Sequence, residues 1–168
     1  AYLCVGSGLQ RGREVEEQFC AEVERKTGIP VVSALLSVLE ALNVLQLNKI
    51  VVADPYVKEM DELEEKFLTS NGFQVLGVHG LGIADSFEFG QVTPKDIYTF
   101  CQSVWNPSAD GLYIGCCAFN GMPVIELLEK ELKVPVVTAH SAVLWKVFKV
   151  LGIREPLQGY GKLLRECL

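Results

Sequence analysis

Apolar residues along this chain fall into two patterns. Short unbroken runs, such as Lys49-Ile-Val-Val-Ala53, Phe73 to Val78, Leu112-Tyr-Ile114 and Val134-Pro-Val-Val137, alternate with longer stretches where apolar positions recur every three or four residues. Runs that are apolar throughout read as strands buried on both faces, and the three-to-four spacing reads as one-sided helices. The spacing predicts helices over 13–26, 34–45, 57–69, 93–104, 122–132 and 142–151. Asn71-Gly72 stops the third, and Thr93-Pro94 is an N-cap and first-turn pair for the fourth. Strand and helix alternate to the end, so the expected class is α/β, a parallel sheet with helices on both faces.

The pattern also repeats. Tyr2-Leu3-Cys4 is a short run ending in a cysteine, followed by small residues, a helix, and Ile29-Pro-Val-Val-Ser-Ala34. Leu112-Tyr-Ile-Gly-Cys116 is likewise followed by a helix and then Val134-Pro-Val-Val-Thr-Ala139. This predicts two pseudo-symmetric parallel-sheet halves: residues 1–47, residues 48–152, and a segment 153–168 returning to the N-terminal half. The second half carries a strand-helix-strand unit, 49–78, ahead of its cysteine strand, whereas only Ala1 to Leu3 precede Cys4. The first half therefore reads as incomplete, by roughly 60–70 residues if its twin is the measure. An exposed apolar edge at Ala1 to Leu3 is expected with it.

Composition narrows the chemistry. A net charge of −6 argues against a nucleic-acid partner, and no apolar run approaches the roughly 18 residues of a membrane span. The start has no secretory pattern. Six cysteines without a CxxC pair, and only two histidines, make a disulfide framework or a metal site a poor fit; a reduced cytoplasmic chain is expected. A homo-oligomer is compatible with these properties.

Cys4 and Cys116 stand out because each ends a strand just before a helix, where open α/β sheets hold ligands and where free amides favour thiolates and carboxylates. Two thiols facing across one cleft, within about 10 Å, suit proton transfer beside a carboxylate or thiolate addition to an activated alkene. Other candidates read more simply. Gly6-Ser7-Gly8 to Gly12 is spaced GxGxxxG, and its following strand ends in Ser33, so a dinucleotide loop is disfavoured. Asp54 reads as a turn residue before Pro55, the charges of 57–66 as a solvated face, and His79 and His140 as structural, with His140 near the cleft. Cys20, Cys101 and Cys167 read as small buried hydrophobes. The Gly-rich stretch 77–90 is a lid or a long connection.

Taken in order, Tyr2-Leu-Cys-Val-Gly-Ser-Gly8, Ala53-Asp-Pro-Tyr56, Gly80-Leu-Gly-Ile-Ala-Asp-Ser86, Tyr113-Ile-Gly-Cys-Cys-Ala-Phe119 and Val134 to Trp145 resemble the aspartate/glutamate racemase superfamily. Within it, they resemble the maleate cis-trans isomerase and arylmalonate decarboxylase branch. The resemblance implies a racemase-like fold and a cofactor-independent, cysteine-dependent isomerase of a small carboxylate, maleate to fumarate first. A two-cysteine amino-acid or hydantoin racemase, a decarboxylase and a non-catalytic carboxylate binder remain the alternatives. It implies that Cys4 is the nucleophile, that Cys116 is the second, proton-delivering cysteine, and that Tyr56 binds a substrate carboxylate. Val5, Gly6, Ser7, Cys117 and Ala118 would complete the substrate site. The family's hydroxyl residues after the first cysteine are replaced here by Val5 and Gly6, and Cys117 stands where it has Thr or Gly.

Overall fold

The computed structural model describes all 168 residues. Its centre is one sheet of four parallel strands, β1 (Lys49–Asp54), β2 (Gln74–Gly80), β3 (Gly111–Ile114) and β4 (Val136–Thr138), in the order β2-β1-β3-β4. The apolar runs predicted these strands. β1 and β3, the interior strands, are buried along almost their whole length, and edge strand β4 is buried too, covered by α3, α6, α7 and α8. β4 starts two residues later than the run suggests, after Pro135, which has no N–H to give a ladder; its carbonyl still accepts from the Leu112 amide at 3.1 Å.

The helices are α1 (Val5–Arg11), α2 (Arg13–Thr27), α3 (Ala34–Val44), α4 (Lys58–Ser70), α5 (Pro94–Val104), α6 (Ile125–Leu132), α7 (Ala139–Leu151) and α8 (Gly161–Glu166). Short 3₁₀ turns lie at Ser86–Gln91 and Met122–Val124. Their starts follow capping chemistry. Ser33 caps α3, and Thr93 caps α5 with Pro94 in the first turn. Thr138 and Ser141 form a reciprocal capping box on α7. Gly28 and Gly152 end α2 and α7 in the left-handed conformation.

Three expectations differ from the structure. Residues after Cys4 do not form a loop: α1 begins at once, through Gly6 and Gly8, which individually cost about 1 kcal/mol in a helix. Packing explains it, because a Cβ on Gly8 would come within 2.7 Å of the Leu35 side chain, so α1 lies hard against α3. The first half contributes no strand, only a parallel bridge between Tyr2 and Ser33, tied by Tyr2 N to Val32 O at 2.7 Å and Ala34 N to Tyr2 O at 3.0 Å. The tail was expected to return to the first half; α8 packs on β4, α6 and α7 instead. The apolar edge is exposed as anticipated, with Leu3 and Ile29 55% and 65% accessible.

The two halves share one hydrophobic cluster, from Val5 and Leu9 through the central sheet to Leu163 and Leu164. α3 brings the first half into it by packing on α7. Leu42 of α3 is fully buried there. Leu42→Ala is expected to lower unfolding stability by about 2–5 kcal/mol through lost burial and a residual cavity. Urea denaturation checks it; a loss under about 1 kcal/mol would mean the halves do not share a core.

Candidate active site

The chain runs from β1 out to β2 and returns to β3 on the other side of β1, so the crevice beyond the carboxyl ends of β1 and β3 is a topological switch point. Ala53 pairs with Ile114, and the Gly115 amide donates to the Ala53 carbonyl at 2.9 Å. Both loops leave the sheet there side by side. After β1, an Asp54 side-chain oxygen accepts from the Tyr56 amide at 2.7 Å, turning the chain so that Tyr56 follows Pro55 into the interior. After β3, Gly115 fits where no side chain could. A Cβ there would lie 2.9 Å from the Asp54 Cβ and 3.2 Å from a Glu64 oxygen.

Cys116 comes next, with φ +65, a left-handed conformation that is strained for a residue with a side chain. That turn folds the following amides back over its sulfur, and the Ala118 N–H donates to Cys116 Sγ at 3.4 Å. Burial pushes the thiol up; the Ala118 amide, the Tyr56 hydroxyl and the Phe119 amide pull it back by bonding to the thiolate. Burial pushes the Tyr56 hydroxyl up as well, so it remains a donor. The Tyr56 ring meets Phe89 edge-on at 5.6 Å, and a Cβ on Gly90 would approach the Ala118 carbonyl at 3.7 Å. The Gly-rich stretch therefore lies over the Cys116 loop.

The first half reaches the same place through α1. A Cβ on Gly6 would sit 3.9 Å from the Tyr56 hydroxyl and 3.4 Å from Met60, so the first turn of α1 abuts the tyrosine that contacts Cys116. Cys4 is the exposed N-cap residue of α1. Val5 turns its side chain into the core, and Ser7 Oγ lies 2.6 Å from the Tyr2 hydroxyl, so both offer the cleft only backbone N–H groups. Cys117 links the halves. Burial, and then the charges of Cys116 and Cys4, push its thiol up to about 12. The three thiols thus share one neighbourhood, and Cys117 is held as the neutral thiol. An ion pair anchors α1 from behind: Arg11 meets buried Glu16 at 2.6 Å, and Glu16 accepts from Ser33 Oγ at 2.6 Å.

The sequence reading missed a feature beneath this turn. Asp54 and Glu64, 0% and 1% exposed, are buried with Asp61 close by, although the charges of α4 were expected to face solvent. Asp54 does make the turn expected of it, but its second oxygen is enclosed without a partner. Burial lifts Asp54 to about 7 and Glu64 well above the usual carboxyl range. His140 follows β4, half-buried with Nδ1 unpartnered, and burial holds it towards the neutral form. No three His, Cys, Asp or Glu side chains are arranged to hold a metal ion, and no helix is long and apolar enough to cross a membrane.

Comparison with known proteins places this geometry. A family model described as arylmalonate decarboxylase matches residues 4–164. The maleate isomerase of Nocardia farcinica is 26% identical over 131 residues, 77% of this chain and 52% of that protein. The maleate isomerase of Geobacillus stearothermophilus is 25% identical over 167 residues, 98% of this chain and 65% of that protein. The chain thus spans between about half and two thirds of the length of these relatives. Among solved structures, a Cys-to-Ser variant of the Nocardia farcinica maleate cis-trans isomerase, carrying a covalently bound succinylcysteine intermediate, superposes with a TM-score of 0.90. That match has 22% identity and covers 97% of this chain and 69% of that one.

The Tyr56 hydroxyl is the side-chain donor that favours the Cys116 thiolate. Tyr56→Phe removes it, so the midpoint of Cys116 alkylation by iodoacetamide should move to higher pH by about half a unit to one unit. Peptide-level mass spectrometry across pH reads the shift; an unchanged midpoint would show that the hydroxyl does not act on the thiol.

Proposed function

We propose that this chain, which belongs to the arylmalonate decarboxylase family, isomerises a small unsaturated dicarboxylate, maleate to fumarate, without a cofactor. Cys4 is the nucleophile in this reading and Cys116 the proton donor. The observation that carries it is the setting of Cys116: a thiol kept protonated by burial, yet supplied with the Ala118 and Phe119 amides and the Tyr56 hydroxyl to receive the thiolate. That is a group built to give up a proton and take it back. Cys4 is exposed at the start of α1, and Cys117 feels the charges of both Cys4 and Cys116. Similarity to two maleate isomerases, and a covalent cysteine adduct in a protein of the same fold, support the reaction class.

The steps balance without an outside reagent. The Cys4 thiolate forms a carbon–sulfur bond to one alkene carbon. The π electron pair moves to the neighbouring carbon, which takes the Cys116 proton. The central bond is now single and rotates. Cys116 then recovers a proton from that carbon, the double bond re-forms as the trans acid, and the electron pair of the carbon–sulfur bond returns to Cys4. The backbone N–H groups of Val5, Gly6 and Ser7 hold one carboxylate, while Tyr56 and the amides after Cys116 hold the other. Cys117, pushed up to about 12, stays a neutral wall of the site. Six free thiols fit a reducing compartment such as the cytoplasm.

The family description gives decarboxylation a specific claim, since that chemistry requires a single proton-donating cysteine, which Cys116 also supplies. Proton NMR in D2O with maleate, aspartate, a hydantoin and an arylmalonate separates the readings. Conversion of maleate to fumarate is expected. It should be nearly abolished by Cys4→Ser, lowered about 10²–10⁴-fold by Cys116→Ser, and only a few-fold by Cys117→Ala. Equal loss of enantiomer interconversion in both serine variants would identify a racemase. Turnover of the arylmalonate that survives Cys4→Gly would identify a decarboxylase. Binding of maleate without any turnover would leave a carboxylate-binding protein.

A further inference from the structure

Three carboxyl groups meet beneath the Cys116 turn, and the proposed chemistry uses none of them. Asp54 ends β1; Asp61 and Glu64 lie one turn apart on α4. Glu64 is fully enclosed. Facing it are Asp54 from β1, Asp61 from its own helix, Tyr113 from β3, Tyr56 from the loop after β1 and Cys116 from the loop after β3. Asp61 in turn faces Glu59 on α4 and His79 on β2, and one of its oxygens accepts from the Gly80 amide at 3.1 Å. No lysine or arginine is among these neighbours.

Asp54 Oδ2, Asp61 Oδ1, Glu64 Oε2 and the Tyr113 hydroxyl are buried and without hydrogen-bond partners. Two facing carboxylate charges in the core, with half-buried Asp61 beside them, would cost far more than keeping a proton there. A proton on Glu64 removes one buried charge and supplies the missing donor between Glu64 and Asp54. Glu64 then donates to Asp54, and Asp54 keeps its hold on the Tyr56 amide. The pair also touches the active-site turn, because the space a Cβ would fill on Gly115 is bounded by the Asp54 Cβ at 2.9 Å and by the Glu64 oxygens at 3.2 and 3.5 Å.

We infer that Glu64, sharing a proton with Asp54, is a positioning residue for Cys116: it props the Gly115 turn from below, and its neutral form keeps negative charge away from the thiol. The inference rests on the reading of Cys116 as a working thiol and adds its pH control. When the pair loses its proton, the new charge opposes formation of the Cys116 thiolate. The direction agrees with the environment of both groups. Burial lifts Asp54 to about 7 and holds Glu64 well above the usual carboxyl range, and the Glu64 charge pushes up both Cys116 and Tyr56. The site thus becomes a weaker proton donor as pH rises, through a group that never touches substrate.

Glu64→Gln mimics the protonated form: it is isosteric, can donate to Asp54, and cannot ionise. Alkylation of Cys116 by iodoacetamide, located by tandem mass spectrometry in the whole chain, should show a midpoint lower by at least about half a pH unit than in the parent. That corresponds to at least about three-fold faster alkylation at a fixed pH below the midpoint. A merely structural role would not move the midpoint in a protein whose circular dichroism is unchanged. Should Glu64→Gln fail to fold, Asp61→Asn, at the more open side of the cluster, should give a smaller shift in the same direction. An unshifted midpoint in the folded variant, or a shift to higher pH, overturns the inference. The readout needs no substrate, so absence of isomerase turnover would defeat the proposed reaction and leave this result standing.

Discussion

The register of β1 against β3 is the constraint on which the site depends. Ala53 opposite Ile114 brings two loops out of the sheet at one level, and the Gly115 amide bonded to the Ala53 carbonyl carries the pairing one residue past the strand. Tyr56 and Cys116 meet as a consequence. A one-residue slip would turn every side chain of β3 to the other face, separating hydroxyl from thiol. The glycine at 115 exists for the same reason: the two strand ends approach so closely that a methyl group there would press on Asp54 and Glu64.

Two opposed requirements shape what surrounds that junction. In the proposed reaction Cys116 holds its proton until the substrate takes it, which burial favours, and it is then briefly a thiolate, which burial disfavours. The left-handed turn at Cys116 answers the second requirement by folding backbone N–H groups onto the sulfur, at a cost of order 1–3 kcal/mol in backbone strain. Tyr56 adds a donor whose own ionisation burial suppresses. Buried carboxyl groups directly below would undo this balance if fully ionised, which is why the proton held between Asp54 and Glu64 matters to the site.

How much of this could be read from the sequence varies with the physics. β1 and β3 were legible because strands buried on both faces are apolar throughout. Cys4 and Cys116 stood out because the duplicated pattern sets each after a short apolar run and just before a helix, although the structure forms a strand only ahead of Cys116. α1 was not, since Gly6 and Gly8 read as a loop; only the contact with Leu35 shows why a helix needs glycine there. Ile29 to Val32 had a strand's composition, but the structure pairs it only through the single bridge at Ser33, and a strand is stabilised by pairing more than by composition. Glu64 was hidden by an average: α4 is rich in charge and reads as solvated. Its position did carry a signal, because Met60, Leu63, Glu64, Phe67 and Leu68 form one stripe at helical spacing, and a carboxyl in an apolar stripe is buried by its neighbours. Tyr56 was found by resemblance; its link to Cys116 emerges only from the sheet order.

The central claim is a division of labour, with Cys4 bonding to carbon and Cys116 moving only a proton. The most direct measurement is intact and peptide-level mass spectrometry of the Cys116→Ser protein quenched during incubation with maleate. The account predicts a single added mass of one maleate, located on Cys4, because the carbon–sulfur bond forms while its reversal is slowed. An adduct on Cys117 or on Cys167, with Cys4 unmodified, would contradict it.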